Sequence, residues 1–212
     1  MNHIIKILIF FSLLVSTNLI AKNTWSFGSD NQLSIPMIIG NQESNINIVE
    51  YRSLTCSHCA EFANNGFLHL KKNYIDTGIV SFELRPLPLN PLDINAFKML
   101  YCTKEEKLFD FDKALLKNQK KWFLTEGAKT WKDVLNKSLP ELLKQAIFFG
   151  VSKEDYDSCN LDENLNNLIN KSMKSAKKYK IDSTPSFLIN GDLYAGSLSA
   201  DRIDELLEGY IN

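Results

Sequence analysis

The first part of the chain alternates strand-like and helical patterns. Residues 45–51 (NINIVEY) alternate polar and apolar positions, which predicts a strand. Apolar residues then recur at helical spacing over 57–74, and Asp76-Thr77-Gly78 ends that helix. A second strand is predicted over 79–84, just before a cluster of prolines. Two consecutive strands joined by a helix indicate a parallel βαβ unit.

The second part is helical until a hairpin near its end. From position 92 to about 160 every recognisable pattern is helical, and a long helix follows over 162–180. Strands are predicted over 186–190 and 193–195, around a turn at Gly191-Asp192, before a closing helix. The hairpin adds antiparallel strands to the parallel pair. We therefore expect an α/β fold with a mixed sheet flanked by helices and an inserted all-helical domain.

The N-terminus has the three zones of a secretory signal peptide. Residues 1–6 carry one positive charge, 7–20 are mainly apolar, and Ala21 precedes a polar stretch. The apolar run is shorter than the roughly 20 residues that span a bilayer. This predicts export with cleavage after Ala21. Leu19 is large for its position before the cut, so an uncleaved membrane anchor remains an alternative.

Composition adds little about partners. Hydrophobic residues make up 44% of the 212 positions, which is enough for a sizeable core. The 24 basic and 25 acidic side chains nearly cancel, so no global field attracts nucleic acid or an anionic membrane. We therefore predict no nucleic-acid partner.

Export changes the interpretation of the four cysteines. In an oxidising compartment an even number indicates disulfides, and four cysteines allow three pairings. Cys56 and Cys59 are close enough for a local redox pair, which leaves Cys102 with Cys159. The alternative is a structural zinc site that also uses His58. Such sites usually take two short-spaced cysteine pairs, which Cys102 and Cys159 do not form, so neither a metal nor another cofactor is predicted.

The segment Cys56-Ser57-His58-Cys59 stands at a strand-to-helix turn, the position of a thioredoxin-like redox motif. Unpaired N–H groups and the helix dipole favour a thiolate at Cys56. His58 would favour the same anion, unless it is only a surface residue. Each unit of pKa depression below ambient pH stabilises the reduced form by roughly 1.4 kcal/mol, or about 30 mV toward a stronger oxidant.

Three sequence blocks and one architectural feature accompany this motif. The blocks are 50–59 (EYRSLTCSHC), 150–156 (GVSKEDY) and 184–191 (TPSFLING), and the feature is the helical insertion. Over 34–212 the chain resembles the DsbA family of periplasmic thiol oxidases. The resemblance implies a thioredoxin-like domain in two parts, 22–87 and 162–212, around an insertion at 88–161, after the signal peptide at 1–21.

The resemblance also implies roles for the residues around the dithiol. Cys56 would be the exposed nucleophile and Cys59 the buried resolving thiol, while His58 would tune the thiolate. Glu50 corresponds to a buried acid that assists proton exchange at Cys59. A buried carboxyl needs such a reason, although Glu50 could also be an ordinary edge-strand carboxylate.

The 184–191 block would bind substrate. The resemblance implies a cis Pro185 that places the Thr184 backbone beside the Cys56 sulfur, although cis prolines are rare in general. Thr184 departs from the strongest oxidases of the family, which have valine, whereas several isomerases have threonine. The strength of this protein as an oxidase is therefore left open.

The resemblance implies an enzyme that introduces disulfides into reduced exported client proteins in the periplasm. It implies recharging by a quinone-linked membrane protein of the DsbB type. We expect a monomer, because few residues separate Ala21 from the first predicted strand, where isomerases usually carry a dimerisation domain. Two alternatives remain, an isomerase or reductase and a non-catalytic exported binding protein. A redox potential distinguishes the first two functions, and the reactivity of Cys56 distinguishes both from the third.

Overall fold

The computed structural model describes residues 37–211. The predicted signal peptide at 1–21 lies outside this range. Among the described residues, no helix combines the length and the apolar character that a bilayer crossing requires.

A mixed sheet forms the centre of the molecule. Its five strands within 37–211 are β1 (Met37–Gly40), β2 (Ile46–Arg52), β3 (Val80–Pro86), β4 (Ser186–Ile189) and β5 (Asp192–Ala195). They lie in the order β1-β3-β2-β4-β5. The β2–β3 pair is parallel, and the other three pairs are antiparallel. The predicted βαβ unit and closing hairpin are thus confirmed, and β2 is the central strand.

Strand β1 was missed by the sequence analysis. It has only four residues, too few for an alternating pattern to stand out. Met37 and Ile39 are buried against the sheet, and the strand pairs antiparallel with β3. Gly40 ends it at a positive φ of 89°, where an added Cβ would lie 2.5 Å from the Val80 carbonyl oxygen.

The helix predicted over 57–74 is discontinuous. It is divided into α1 (Ser57–Asn64), α2 (Gly66–Leu70) and a π-helical turn (Lys71–Ile75). The break is at Asn65, whose φ and ψ of −127° and −79° are not helical. Gly66 follows because the chain passes close to another segment there: an added Cβ would lie 2.0 Å from the Leu198 carbonyl oxygen. This contact is non-local, so helical spacing could not indicate it.

Helices make up most of the remaining described residues. The inserted ones are α3 (Pro91–Tyr101), α4 (Glu105–Lys117), α5 (Gln119–Trp122), α6 (Trp131–Phe148) and α7 (Lys153–Asn160), followed by α8 (Glu163–Lys178) and α9 (Ala200–Ile211). Two inserted helices begin with capping boxes, Thr130 with Asp133 and Ser152 with Asp155. Each box satisfies backbone N–H groups that the first turn leaves unpaired.

The alternation of β2 sends its side chains to two different cores. Tyr51 packs with Ala176 and Leu188 in a small cluster on one face. Ile46 and Ile48 join the main core, which continues into the inserted helices. Since successive side chains point to opposite faces, Glu50 and Arg52 share the face of Ile46 and Ile48. Two charged side chains of the central strand are therefore directed toward the insertion.

A disulfide closes the insertion. Cys102 immediately follows α3 and is bonded to Cys159 near the end of α7, with Cα atoms 5.9 Å apart. Lys98 adds a hydrogen bond of 3.1 Å to the Asn160 carbonyl oxygen. The bond joins positions separated by 57 residues, and thus the first and last inserted helices.

Replacing both Cys102 and Cys159 with serine should lower the free energy of unfolding by about 4 kcal/mol. The reason is that a disulfide closing a loop of this length restricts the conformations of the unfolded chain. Denaturant unfolding of the oxidised proteins measures the change. Ser158→Ala, at an exposed position of the same helix, is the matched control. A double variant that unfolds at the same denaturant concentration as this control would contradict a stabilising disulfide. Mass spectrometry under mild reduction should show the bond surviving while a Cys56–Cys59 bond opens.

Candidate active site

The two cysteines of the redox motif lie at the start of α1. The chain leaves β2 after Arg52 and turns at Ser53, whose carbonyl oxygen accepts the Cys56 N–H at 3.4 Å. Cys56 is the N-cap of α1, and its sulfur accepts the Cys59 N–H at 3.4 Å. Among the described residues these two are the free thiols. Cys56 is partly exposed, whereas Cys59 is 0% exposed.

The surroundings of Cys56 favour its thiolate. Hydrogen bonding with the Cys59 thiol is the largest of the effects that lower the pKa of Cys56, and the result is about 5. Burial opposes this effect, while Thr184 and the backbone N–H groups of Cys59 and His58 add to it. The Thr184 hydroxyl has no partner among the described residues while Cys56 is protonated, so it is available to the thiolate.

Cys59 is in the opposite situation. Burial raises its pKa well above the ordinary range, and the hydrogen bond with Cys56 and the charge of Glu50 act in the same direction. It therefore stays protonated when Cys56 has ionised. The resemblance implied a reactive and a protected thiol, and the physical causes of the difference are hydrogen bonding at Cys56 and burial at Cys59.

The loop before β4 lies against the reactive thiol. The Thr184–Pro185 peptide bond is cis. The Cys56 thiol donates to the Thr184 carbonyl oxygen at 3.2 Å. The Pro185 carbonyl oxygen in turn accepts the Gly196 N–H at 2.8 Å, which ties this loop to the segment before α9. The structure thus places Thr184 and Pro185 beside the Cys56 sulfur, and their role in binding substrate remains a prediction.

His58 is exposed in the first turn of α1. Its side chain is 71% exposed, and its Nδ1 is 3.3 Å from a carboxylate oxygen of Glu61. Its backbone N–H, rather than the ring, is among the groups that lower the pKa of Cys56. A tuning role for the imidazole remains a prediction.

Glu50 is buried in the central strand, so the alternative of an exposed edge-strand carboxylate is wrong. It is 0% exposed and forms an ion pair with Arg52, whose Nη1 also bonds Asp112 of α4 at 2.6 Å. Burial raises the pKa of Glu50 to about 7, against the lowering effect of Arg52. The sequence analysis missed Arg52 and Asp112. Two charges at alternate positions of a central strand were an available signal for Arg52.

The insertion also holds the loop that carries Cys56. Asp93 of α3 accepts the Leu54 N–H at 2.8 Å and the Leu89 N–H at 3.0 Å. The Gln119 amide donates to the carbonyl oxygens of Leu54 and Cys56, both at 2.8 Å. Burial raises the pKa of Asp93 to about 6, although its hydrogen bonds with the Ser53 side chain and with the backbone N–H groups of Leu89, Leu54 and Thr55 oppose the rise. Sequence reasoning did not find either residue, because both contacts join segments that are distant in the chain.

The geometry of the cysteines also bears on the alternative of a structural zinc site. Cys102 and Cys159 are bonded to each other and so are not available as ligands. Over residues 37–211, no cluster of three or more histidine, cysteine or acidic side chains could hold a metal ion.

Comparison with known proteins places the chain in a family. A family model described as "Thioredoxin" matches residues 33–209, which is most of the chain. The chain belongs to this thioredoxin family. Its membership agrees with a Cys-x-x-Cys motif at the start of a helix that follows the central strand.

Relatives of this thioredoxin-family member occur in Rickettsia. A protein of Rickettsia typhi and one of Rickettsia prowazekii, both provisionally named protein-disulfide oxidoreductases, are each 32% identical to it over 174 residues. In both cases the alignment covers 81% of this chain. The chain spans 60% of the length of these relatives.

Solved structures share the fold. The α-DsbA1 protein of Wolbachia pipientis has a TM-score of 0.69 at 24% identity, covering 81% of this chain and 88% of its own. DsbA of Chlamydia trachomatis has a TM-score of 0.66 at 17% identity, covering 88% and 97%. The thioredoxin-like fold with a helical insertion, expected from the sequence, is thus confirmed.

Cys56 should react with iodoacetamide far faster than Cys59 at about pH 6, by roughly a hundredfold or more, since Cys56 is largely a thiolate there and Cys59 is a buried thiol. Single variants Cys56→Ser and Cys59→Ser make a matched pair. Peptide mapping of the labelled protein gives both rates. Equal rates, or faster labelling at Cys59, would reverse the assignment of the two thiols.

The reduced protein should lose stability relative to the oxidised protein as the pH falls. The folded pKa of Cys56, about 5, lies below that of an unfolded cysteine, about 8.5. Its thiolate therefore stabilises the reduced fold at neutral pH, and this contribution disappears as the pH falls through about 5. Thermal melts of both forms between about pH 7 and pH 4 measure the difference. The oxidised form is the control, because Cys56 does not titrate in it. A pH-independent difference in Tm would contradict the low pKa.

Proposed function

We propose that this protein is a thiol:disulfide oxidoreductase that introduces disulfide bonds into reduced exported client proteins through Cys56 and Cys59. The observation that carries the proposal is the contrast between the two thiols. Cys56 is partly exposed with a pKa of about 5, and Cys59 is fully buried with a raised pKa. A stable thiolate makes the reduced form favourable, so the oxidised form gives its disulfide away readily.

The reaction begins with the Cys56–Cys59 disulfide. A client thiolate attacks the Cys56 sulfur, the bond between the two enzyme sulfurs breaks, and Cys59 leaves and takes up a proton. A second client thiolate then attacks the client sulfur of the mixed disulfide and releases Cys56 as a thiolate. The client loses two electrons and two protons. The electrons remain on the two enzyme sulfurs, one proton is gained by Cys59, and the other goes to solvent.

The client would bind along the Thr184–Pro185 loop. The Thr184 carbonyl oxygen lies 3.2 Å from the Cys56 sulfur, so an extended peptide that pairs with this backbone would bring its own sulfur to Cys56. The exposed His58 lies at the same surface, where its ring could contact the client or stabilise the thiolate. Glu50, buried with a pKa of about 7, would exchange the Cys59 proton.

Continued turnover requires an acceptor for two electrons. A quinone-linked membrane protein of the DsbB type would reoxidise Cys56 and Cys59, and the enzyme would act as a periplasmic monomer. Export through a cleaved signal peptide at 1–21 is supported by the charge and apolar pattern there. The Cys102–Cys159 disulfide supports the same compartment, because such bonds persist in oxidising environments.

The proposed domain division follows the elements. A first thioredoxin-like part over 22–87 includes β3, which ends at Pro86, and the insertion over 88–161 includes α3 to α7. The second part, 162–212, begins with α8 at Glu163. We propose these limits as the boundaries of the insertion.

An isomerase or reductase is the second candidate. Thr184 favours this candidate, because several isomerases related to the DsbA family, which the chain resembles, carry threonine before the cis-proline. One solved structure with the same fold is a protein-disulfide isomerase of Novosphingobium aromaticivorans, with a TM-score of 0.69 at 22% identity. A non-catalytic binding protein is less well supported, since it would not require a thiol with a pKa near 5.

The oxidised protein should oxidise a reduced dithiol peptide faster than the reduced protein unscrambles a multi-disulfide substrate. The reason is that the stable Cys56 thiolate favours giving the disulfide away. Mass spectrometry of the peptide and recovered activity of the scrambled substrate provide the two rates. The reverse ranking would make the protein an isomerase, and no exchange with either substrate would leave the binding protein.

Thr184 can be tested in the same assays. Thr184→Val should change the redox potential measured against glutathione, because the hydroxyl is among the groups that stabilise the Cys56 thiolate. Thr103→Val is the matched control, since its hydroxyl bonds Met99 within the insertion. Equal potentials for both variants and the unmodified protein would show that the Thr184 hydroxyl does not tune the dithiol.

A further inference from the structure

Glu50, Arg52 and Asp112 form a buried charge cluster. Their exposed fractions are 0%, 2% and 1%. The Arg52 Nη2 bonds a carboxylate oxygen of Glu50, and its Nη1 bonds Asp112 Oδ2 at 2.6 Å. Two carboxyl groups thus share a single guanidinium. With both ionised, the cluster would carry an uncompensated negative charge out of contact with water, which is unfavourable.

The hydrogen bonding of the cluster is incomplete. Among the described residues, Glu50 Oε1, Asp112 Oδ1, Arg52 Nε and the Tyr101 hydroxyl are buried without a partner. Each carboxyl group therefore has one oxygen without a hydrogen bond. If both acids were ionised, the negative charge on these oxygens would not be stabilised. Burial raises the pKa of both acids, and the charge of Asp112 adds to the rise at Glu50. The two acids together favour holding one proton at neutral pH.

The cluster lies within electrostatic range of the dithiol. The charge of Glu50 contributes to the raised pKa of Cys59, and Cys56 and Asp112 both act on Glu50. The charge of Cys59 in turn acts on the pKa of Arg52, after the larger effects of burial, Asp112 and Glu50. Burial raises the pKa of Tyr101 well above its ordinary range, and the charges of Asp112, Arg52 and Glu83 also act on it. Glu50 therefore interacts electrostatically with both the resolving thiol and an acid supplied by the insertion.

We propose that Asp112 is a positioning residue for thiol exchange, which shares Arg52 with Glu50 and thereby keeps on Glu50 the proton that Cys59 gains and loses. This inference rests on the proposed oxidoreductase function. When the Cys56–Cys59 bond breaks, protonated Glu50 gives its proton to the departing Cys59 sulfur and regains one from solvent. In the reverse step, ionised Glu50 accepts the Cys59 proton as Cys59 attacks a mixed disulfide at Cys56.

Without Asp112, Arg52 would neutralise Glu50 alone. Glu50 would then stay ionised to lower pH and would lack the proton to transfer at neutral pH. The helical insertion would thus control proton exchange in a site formed mainly by the thioredoxin-like part, through one carboxylate of α4.

The test follows the resolving step with a mixed disulfide between Cys56 and thionitrobenzoate, whose coloured thiolate is released when Cys59 attacks. In the unmodified protein the release rate should rise with pH through an inflection set by Glu50. Asp112→Asn should move this inflection down by about one pH unit, because it removes a negative charge near Glu50. Asp112→Glu should restore it.

Asp110→Asn is the matched control, since Asp110 is an exposed acid on the same helix. It should leave the inflection in place. The inference would be overturned if Asp112→Asn, with a normal melting curve, showed its inflection in release rate at the same pH as the control. If the unmodified protein released no thiolate at any pH, the proposed function would fail instead.

A second measurement needs no variant. Carbon NMR of the full chain labelled at its side-chain carboxyl groups can follow Glu50 and Asp112 through a pH titration. The Asp112 signal should move over the same pH range as the Glu50 signal, because the two acids share one guanidinium. Independent titrations would overturn the inference even if Asp112→Asn failed to fold.

Discussion

The chemistry of the candidate site depends on the hydrogen bonding of one sulfur atom at the start of α1. Cys56 caps the helix, accepts the Cys59 N–H at 3.4 Å and lies 3.2 Å from the Thr184 carbonyl oxygen. Helix N-termini favour an anion because their first N–H groups lack partners within the helix. The sheet sets this geometry, since β2 delivers the helix start and β4 holds the Thr184 loop beside it.

The helical insertion contributes to the site more than its place in the sequence indicates. Asp93 accepts a backbone N–H of the loop that carries Cys56. Gln119 donates to two backbone carbonyl oxygens of the same loop. Asp112 reaches the buried charges of β2. The loop that carries Cys56 is therefore held in place by the helical insertion as well as by the thioredoxin-like part of the chain.

Sequence reasoning was accurate where the signal was local. The redox motif, the parallel βαβ unit and the final hairpin all followed from short patterns in the chain. It was less accurate where a contact crossed the chain. The break at Asn65 depends on the close approach of Leu198 to Gly66, and the pairing of Arg52 with Asp112 depends on where the tertiary structure places α4.

The sequence by itself determined the fold class, the Cys-x-x-Cys pair at the start of a helix and the existence of a helical insertion, because periodicity and motif spacing are properties of neighbouring residues. Only the tertiary structure decided how deeply each thiol is buried and which charges surround it. Burial raises the pKa of Cys59 and hydrogen bonding lowers that of Cys56, while the placement of α4 brings Asp112 to Arg52. Both effects depend on desolvation and on distances between segments far apart in the chain, which a linear pattern does not contain.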